Sequence, residues 1–118
     1  SALAAGDAET SWSCLSAGYR RLEYGEDPGL WTAHLKRDGR DESRQIRRLE
    51  ISQETLVNER VAFVQFDPST VEAGHAPFFY FLHETDGWKI TTHLDSLFRL
   101  ELEGAIDRGE FHLPVLRR

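Results

Sequence analysis

The sequence predicts an α+β fold: N-terminal helices packed in the concave face of a strongly bent antiparallel sheet, with a C-terminal helix and tail extension. Three observations predict it. Apolar residues in the first third recur at spacings of three and four, the helical period. From Arg44 the period shifts towards two, as in strands. Two strand-like runs, Phe78–Glu84 and Trp88–His93, then flank Asp86-Gly87, a strong hairpin signal. At 118 residues the chain reads as a single domain over 1–118, with a core over 1–93 and a C-terminal helix and tail over 94–118. A chain of that length buries roughly two-thirds of its unfolded surface, so it needs no staples.

The elements follow in order. Ala2–Ala5 reads as the end of a helix stopped by Gly6. Asp7 caps a second helix running to about Tyr24, with Trp12, Leu15, Tyr19 and Leu22 as its stripe. Gly18 costs about 1 kcal/mol inside a helix and marks the point where this one can break. Asp27-Pro28 pairs an N-cap with proline at the first helical position, opening a third helix. Leu30, Trp31, His34 and Leu35 form its apolar side, Lys36 and Arg37 suit its negative C-terminal end, and Asp38-Gly39 stops it. Ile46, Leu49 and Ile51 mark a first strand, whose odd step from 46 to 49 asks for a bulge. Gln53–Thr55 turns the chain into a longer strand, Val57–Asp67. Val61, Phe63 and Gln65 lie on one face of it, and Ala62, Val64 and Phe66 on the other. A loop rich in turn residues runs from Asp67 to Pro77. After the hairpin, Leu94–Arg108 is a last helix, with Asp95 as its cap and Leu94, Leu97, Phe98, Leu102 and Ile106 as its stripe. Gly109 ends it. Phe111, Leu113 and Val115 alternate as an edge strand, the position to which Pro114 confines it.

The hairpin fixes faces. With Asp86-Gly87 as a two-residue turn, Glu84 opposes Lys89 in a cross-strand ion pair and His83 opposes Ile90. Phe79, Phe81, His83, Trp88, Ile90 and Thr92 then share the expected core face. Tyr80, Leu82, Glu84, Lys89, Thr91 and His93 share the other. With Ala62, Val64 and Phe66 beside it, that second face makes an apolar patch large enough to ask for a partner, most simply a second copy.

Ala2-Leu3-Ala4-Ala5-Gly6-Asp7 and Asp86-Gly87-Trp88-Lys89-Ile90-Thr91, in that order, resemble the close of the opening helix and the closing strand of the nuclear-transport-factor-two-like superfamily, also called SnoaL-like or cystatin-like. The resemblance covers about Ala2 to His93. It implies a sheet wrapped over helices as a cone, often around an apolar pocket, and often dimeric through the sheet. The superfamily includes isomerases, dehydratases, epoxide hydrolases, polyketide cyclases and domains without catalysis, so fold does not give function. The chain departs from the pattern at both ends: most of the opening helix is missing, and residues 94–118 go past the usual end.

The net charge of −6 argues against non-specific binding to nucleic acid or anionic membrane. No apolar run reaches the ~20 residues of a membrane span. No signal peptide is visible, although the uncapped helical start looks cut into, so a leader or tether is an open alternative and compartment is unknown. Cys14 is the single cysteine, excluding an internal disulfide, and reads as a small buried hydrophobe. The histidines at 34, 75, 83, 93 and 112 show no paired metal-ligand spacing, so no metal and no cofactor is expected. Lys36, Arg37, Arg40, Arg44, Arg47 and Arg48, interrupted by Asp38, Asp41 and Glu42, read as a solvated helix end and loop, or alternatively as a docking patch for an acidic partner.

General acid–base chemistry needs a tuned group within reach of substrate. His83 is the only catalytic candidate among the strands, with Tyr19 and His34 as helical neighbours. The expectation is a non-catalytic binding module holding a small apolar ligand or a protein partner. Its pocket would be lined by Trp12, Tyr19, Trp31, Phe63, Phe79, Phe81, His83 and Trp88, and its homodimer interface would use Val64, Phe66, Tyr80, Leu82 and His93. The alternatives are rings that fill the cone and leave an interaction module, and an isomerase, dehydratase or cyclase using His83.

Overall fold

Helices come first in the chain and a sheet follows. The computed structural model describes residues 8–111, over which the chain forms α1 (Ala8–Ser13), α2 (Ala17–Tyr24), α3 (Pro28–Arg48), β1 (Ile51–Leu56), β2 (Val61–Phe66), a 3₁₀ turn (Pro68–Thr70), β3 (Phe78–Glu84), β4 (Gly87–Thr91) and α4 (Ser96–Asp107). The fold is α+β. The expected helix end at Ala2–Ala5, the stop at Gly6, the cap at Asp7 and the tail positions Leu113, Pro114 and Val115 lie outside the described residues.

The first two helices part at Cys14–Ser16, not at Gly18. Ile90 N–H donates to the Cys14 carbonyl at 2.7 Å, and Ser16 N–H donates to the Ile90 carbonyl at 2.8 Å. Leu15 thereby forms a parallel bridge to Ile90. The backbone groups that a continuous helix would pair internally are spent on the sheet. Ser16 then restarts the helix by accepting from Tyr19 N–H at 3.0 Å. Gly18 is buried within α2, where a Cβ would fall 2.3 Å from the Asp95 carboxyl carbon.

Asp27 and Pro28 open α3 as the sequence predicts: the Asp27 carboxylate accepts from Gly29 N–H at 2.8 Å. The helix does not stop at Asp38-Gly39 but runs 21 residues to Arg48. Its buried residues Trp31, Gly39 and Ser43 lie along one side, so the glycine is part of the packed seam. The roughly 1 kcal/mol that glycine costs is outweighed by burial of a residue such as Trp31, worth on the order of 2 kcal/mol or more. The expected strand around Ile46 and Leu49, with its bulge, is therefore helix and helix cap. A register irregularity does occur, but between Ile51 and Gln53 in β1. Gln53–Thr55 is strand rather than turn. The reversal falls at residues 57–60, where the Asn58 side-chain oxygen accepts from Arg60 and Val61 N–H at 2.8 and 3.0 Å.

The sheet is an antiparallel meander in the order β1-β2-β3-β4. In the last hairpin Glu84 opposes Gly87, His83 opposes Trp88 and Phe81 opposes Ile90. The turn is thus Thr85-Asp86, one residue earlier than expected. The expected Glu84–Lys89 pair is replaced: Lys89 bonds to Asp86 at 2.9 Å, and Glu84 accepts from Ala17 N–H at 3.1 Å. Because both partners shift, the grouping of β3 and β4 residues by face is unchanged. The pairing with β2 is not as expected. Val61 opposes Leu82 and Phe63 opposes Tyr80, so Val61 and Phe63, not Val64 and Phe66, share the face of Tyr80 and Leu82.

That face is the more deeply buried one, correcting the expected core face. Val57, Val61, Leu82, Phe98 and Ala105 form the core cluster, with Phe63, Tyr80, Leu102 and Phe111 packed against it. α4 lies here, capped by Asp95 as expected. Phe98 and Leu102 of its predicted stripe point in, whereas Leu94 and Leu97 are exposed. The buried Asp95 carboxylate also accepts from Thr91 at 2.7 Å and from Ser16 at 3.1 Å, tying α2, β4 and α4 together.

Candidate functional site

A groove of about 960 Å³, open to solvent, lies at one end of the sheet. Both hairpin turns, at 57–60 and 85–86, lie at the other end. Its sheet side is formed where β2 finishes at Phe66, β3 begins at Phe78 and Phe79, and β4 finishes at Ile90 and Thr91. Its helical side is formed by Tyr19 and Tyr24 from α2 and by Trp31, His34, Glu42 and Ile46 from α3. The 67–77 loop contributes Val71 and His75 to the rim.

The helical wall is a stack of rings. Tyr19 and Tyr24 are stacked at 6.2 Å, Tyr24 meets Trp31 edge-on at 5.2 Å, and Trp31 stacks on His34 at 5.5 Å. Trp31 is held by its own donor, with Nε1–H on Ser11 at 2.9 Å. Three residues spaced one helical turn apart, an imidazole and two carboxyl groups, stand beside these rings. His34 Nε2 stands 2.7 Å from Glu42 Oε1, and His34 Nδ1 stands 3.5 Å from Asp38 Oδ2.

Burial holds the Tyr19 hydroxyl above its ordinary value of 10.0, with Glu23 and Glu42 raising it further. Tyr24 is raised more, by burial first, then by Tyr19, Glu42 and Glu23, against a smaller opposing effect of Arg37. Both phenols are neutral hydroxyls near pH 7. The groove thus offers apolar faces, hydroxyl groups and a carboxylate–imidazole pair, a combination that can hold an apolar body and orient one polar group. Among the described residues no group of three or more His, Cys, Asp or Glu is arranged to hold a metal ion.

Of the residues expected to line a pocket, Tyr19, Trp31 and Phe79 meet in this groove. Trp12 stands outside the lining, edge-on to Tyr24 at 6.1 Å, with the Arg20 guanidinium 5.2 Å from its ring centre. Phe63 is on the opposite sheet face, against Phe111. Phe81, His83 and Trp88 share a face with Phe79 but lie nearer the hairpin turns. His83 packs edge-on to Trp88 at 5.0 Å, and Trp88 is 42% exposed. Sequence reasoning missed Tyr24, Glu42 and Ile46. The 34, 38, 42 spacing of His, Asp and Glu would have singled out Glu42 had α3 been carried past Gly39.

The five residues expected at an interface divide between the two faces. Leu82 is fully buried and Phe66 nearly so, which removes both from any exposed patch. Tyr80 is half-buried against Phe98, His93 is exposed beside Tyr80, and Val64 is half-buried on the other face. No helix among the described residues is long and apolar enough to cross a membrane. No family model, curated protein or solved structure matches the chain.

Proposed function

We propose that the chain is a binding module of the nuclear-transport-factor-two-like kind, with the helices and sheet as its cone, holding a small apolar ligand in the groove. The observation that carries this reading is the ring wall of Tyr19, Tyr24 and Trp31 facing Phe79 and Ile90 across an open volume of about 960 Å³. That volume is at the upper end of the range for small-molecule sites. The test is titration with the apolar fluorophore 1-aminoanthracene before and after filling the groove by Ile46→Trp. The reading expects saturable binding to the parent chain, weakened at least roughly tenfold in the filled variant, or about 1.4 kcal/mol. Equal binding by both folded proteins, or none by the parent, sinks it.

The 2.7 Å approach of His34 to Glu42 favours a second reading, an acid–base enzyme of the isomerase or cyclase type. His34 would take the role expected of His83, because His34 is in the groove. Exchange of α-protons of a medium-chain ketone in heavy water, followed by NMR, would show catalysis abolished by His34→Gln. No exchange above the buffer rate removes this reading.

We also propose self-association through the sheet, on the face carrying Leu56, Ala62, Val64, Phe81 and Trp88. Leu56 and Trp88 are 70% and 42% exposed there. Sedimentation equilibrium is expected to show a dimer that Val64→Glu converts to monomer. A monomeric parent chain overturns this.

A further inference from the structure

We infer that the outer side of α3 is a docking ridge for an acidic protein segment. The argument starts from the continuity of α3. As a helix end followed by a loop, Lys36, Arg37, Arg40, Arg44, Arg47 and Arg48 would scatter. As one helix from Pro28 to Arg48, they project from roughly a third of its circumference over a length of about 18 Å. All six are exposed. The buried seam of Trp31, Gly39 and Ser43 and the groove-side residues His34 and Glu42 occupy the rest of the helix, and Arg48, at the C-terminal end of the ridge, also borders the groove. Arg37 pairs with Asp38, and Arg44 with Asp41. Among the described residues, Lys36, Arg40, Arg47 and Arg48 enter no ion pair.

Charge complementarity selects an anionic partner, and the rest of the molecule narrows its class. Five of the six cations are arginine, whose planar fork matches a carboxylate with two hydrogen bonds. Between Lys36 and Arg48 the arc carries no aromatic ring to stack on a base and no large apolar residue to enter a bilayer; the exposed Leu30 lies about 9 Å before it along the helix. The chain as a whole carries −6, so a long polyanion or an extended anionic plane meets repulsion away from the ridge. A short acidic segment meets the ridge alone. About six extended residues span the same 18 Å.

The probe is a labelled peptide of about eight glutamates, followed by fluorescence anisotropy at about 50 mM salt. Binding is expected, and is expected to weaken at least roughly tenfold at about 500 mM salt. The variant Arg40→Glu/Arg44→Glu/Arg47→Glu, or its Gln counterpart if the reversal does not fold, is expected to lose roughly tenfold or more. Reversal of the same number of arginines elsewhere, at Arg21, Arg99 and Arg108, gives the same net charge and is expected to keep most of the affinity. Equal loss in the two reversed proteins overturns the ridge as the site. Failure of the parent chain to bind the peptide overturns it, as does tighter binding to a single-stranded oligonucleotide or to vesicles rich in phosphatidylserine.

Discussion

Gly18 shows how one residue can oppose its own propensity. In an exposed helix, replacing glycine by alanine gains about 1 kcal/mol. Here the added Cβ would sit 2.3 Å from the Asp95 carboxyl carbon, inside the Ser16–Thr91–Asp95 hydrogen-bond cluster. Overpacking plus loss of a buried hydrogen bond costs more than propensity returns, so Gly18→Ala is expected to destabilise by about 2–4 kcal/mol in urea unfolding. The same cluster predicts that Thr91→Val, which removes one donor to a buried carboxylate, costs about 1–3 kcal/mol by the same measurement. The groove phenols give a pH signature. Tyr19 and Tyr24 are held above 10.0 in the folded chain, so above pH 10 the unfolded chain has lost protons that the folded one keeps. Their contribution is complete below pH 10 and is lost as pH rises beyond it. Tyr24→Phe is therefore expected to flatten the fall of stability on the alkaline limb, followed by urea midpoints from pH 8 to above pH 11.

At the scale of elements, the sequence was legible wherever the signal was local. The caps at Asp27 and Asp95, the proline opening α3 and the division of β3 and β4 into two faces depend on residues a few positions apart. Signals weaker than tertiary packing misled. Gly39 reads as a stop, yet α3 crosses it because Trp31 and Ser43 on either side are buried in the same seam. A Cβ on Gly39 meets only Leu35, at 3.6 Å, an ordinary contact. Gly39→Ala is accordingly expected to stabilise by about 0.5–1 kcal/mol, the opposite sign to Gly18→Ala and measurable in the same denaturation series. Asp86-Gly87 reads as the turn itself, but Gly87 (φ 124°) is the first residue of β4 and the bend is Thr85-Asp86. The position of the hairpin was legible and its register was not, because Lys89 bonds within the turn to Asp86 rather than across to Glu84.

For the whole molecule, knowing the face of a residue proved less informative than knowing its position along the strand. Phe79 and Phe81 share a face, but only Phe79 is at the end where α2 and α3 enclose the groove. Which end the helices cover depends on the Leu15–Ile90 bridge and on the packing of α3, neither of which leaves a periodic trace in the chain. The bridge has a further consequence for Lys89. With Ser16 and Cys14 tied to Ile90, the Ser13 carbonyl is brought over β4, where it accepts from the Lys89 ammonium at 2.6 Å. The chain has just two lysines, and the other, Lys36, stands free on the surface. An amine-reactive acylating reagent should therefore mark Lys36 first and leave Lys89 untouched until α1 lifts from the sheet, so that the ratio of the two adducts in a digest becomes a clock for that opening.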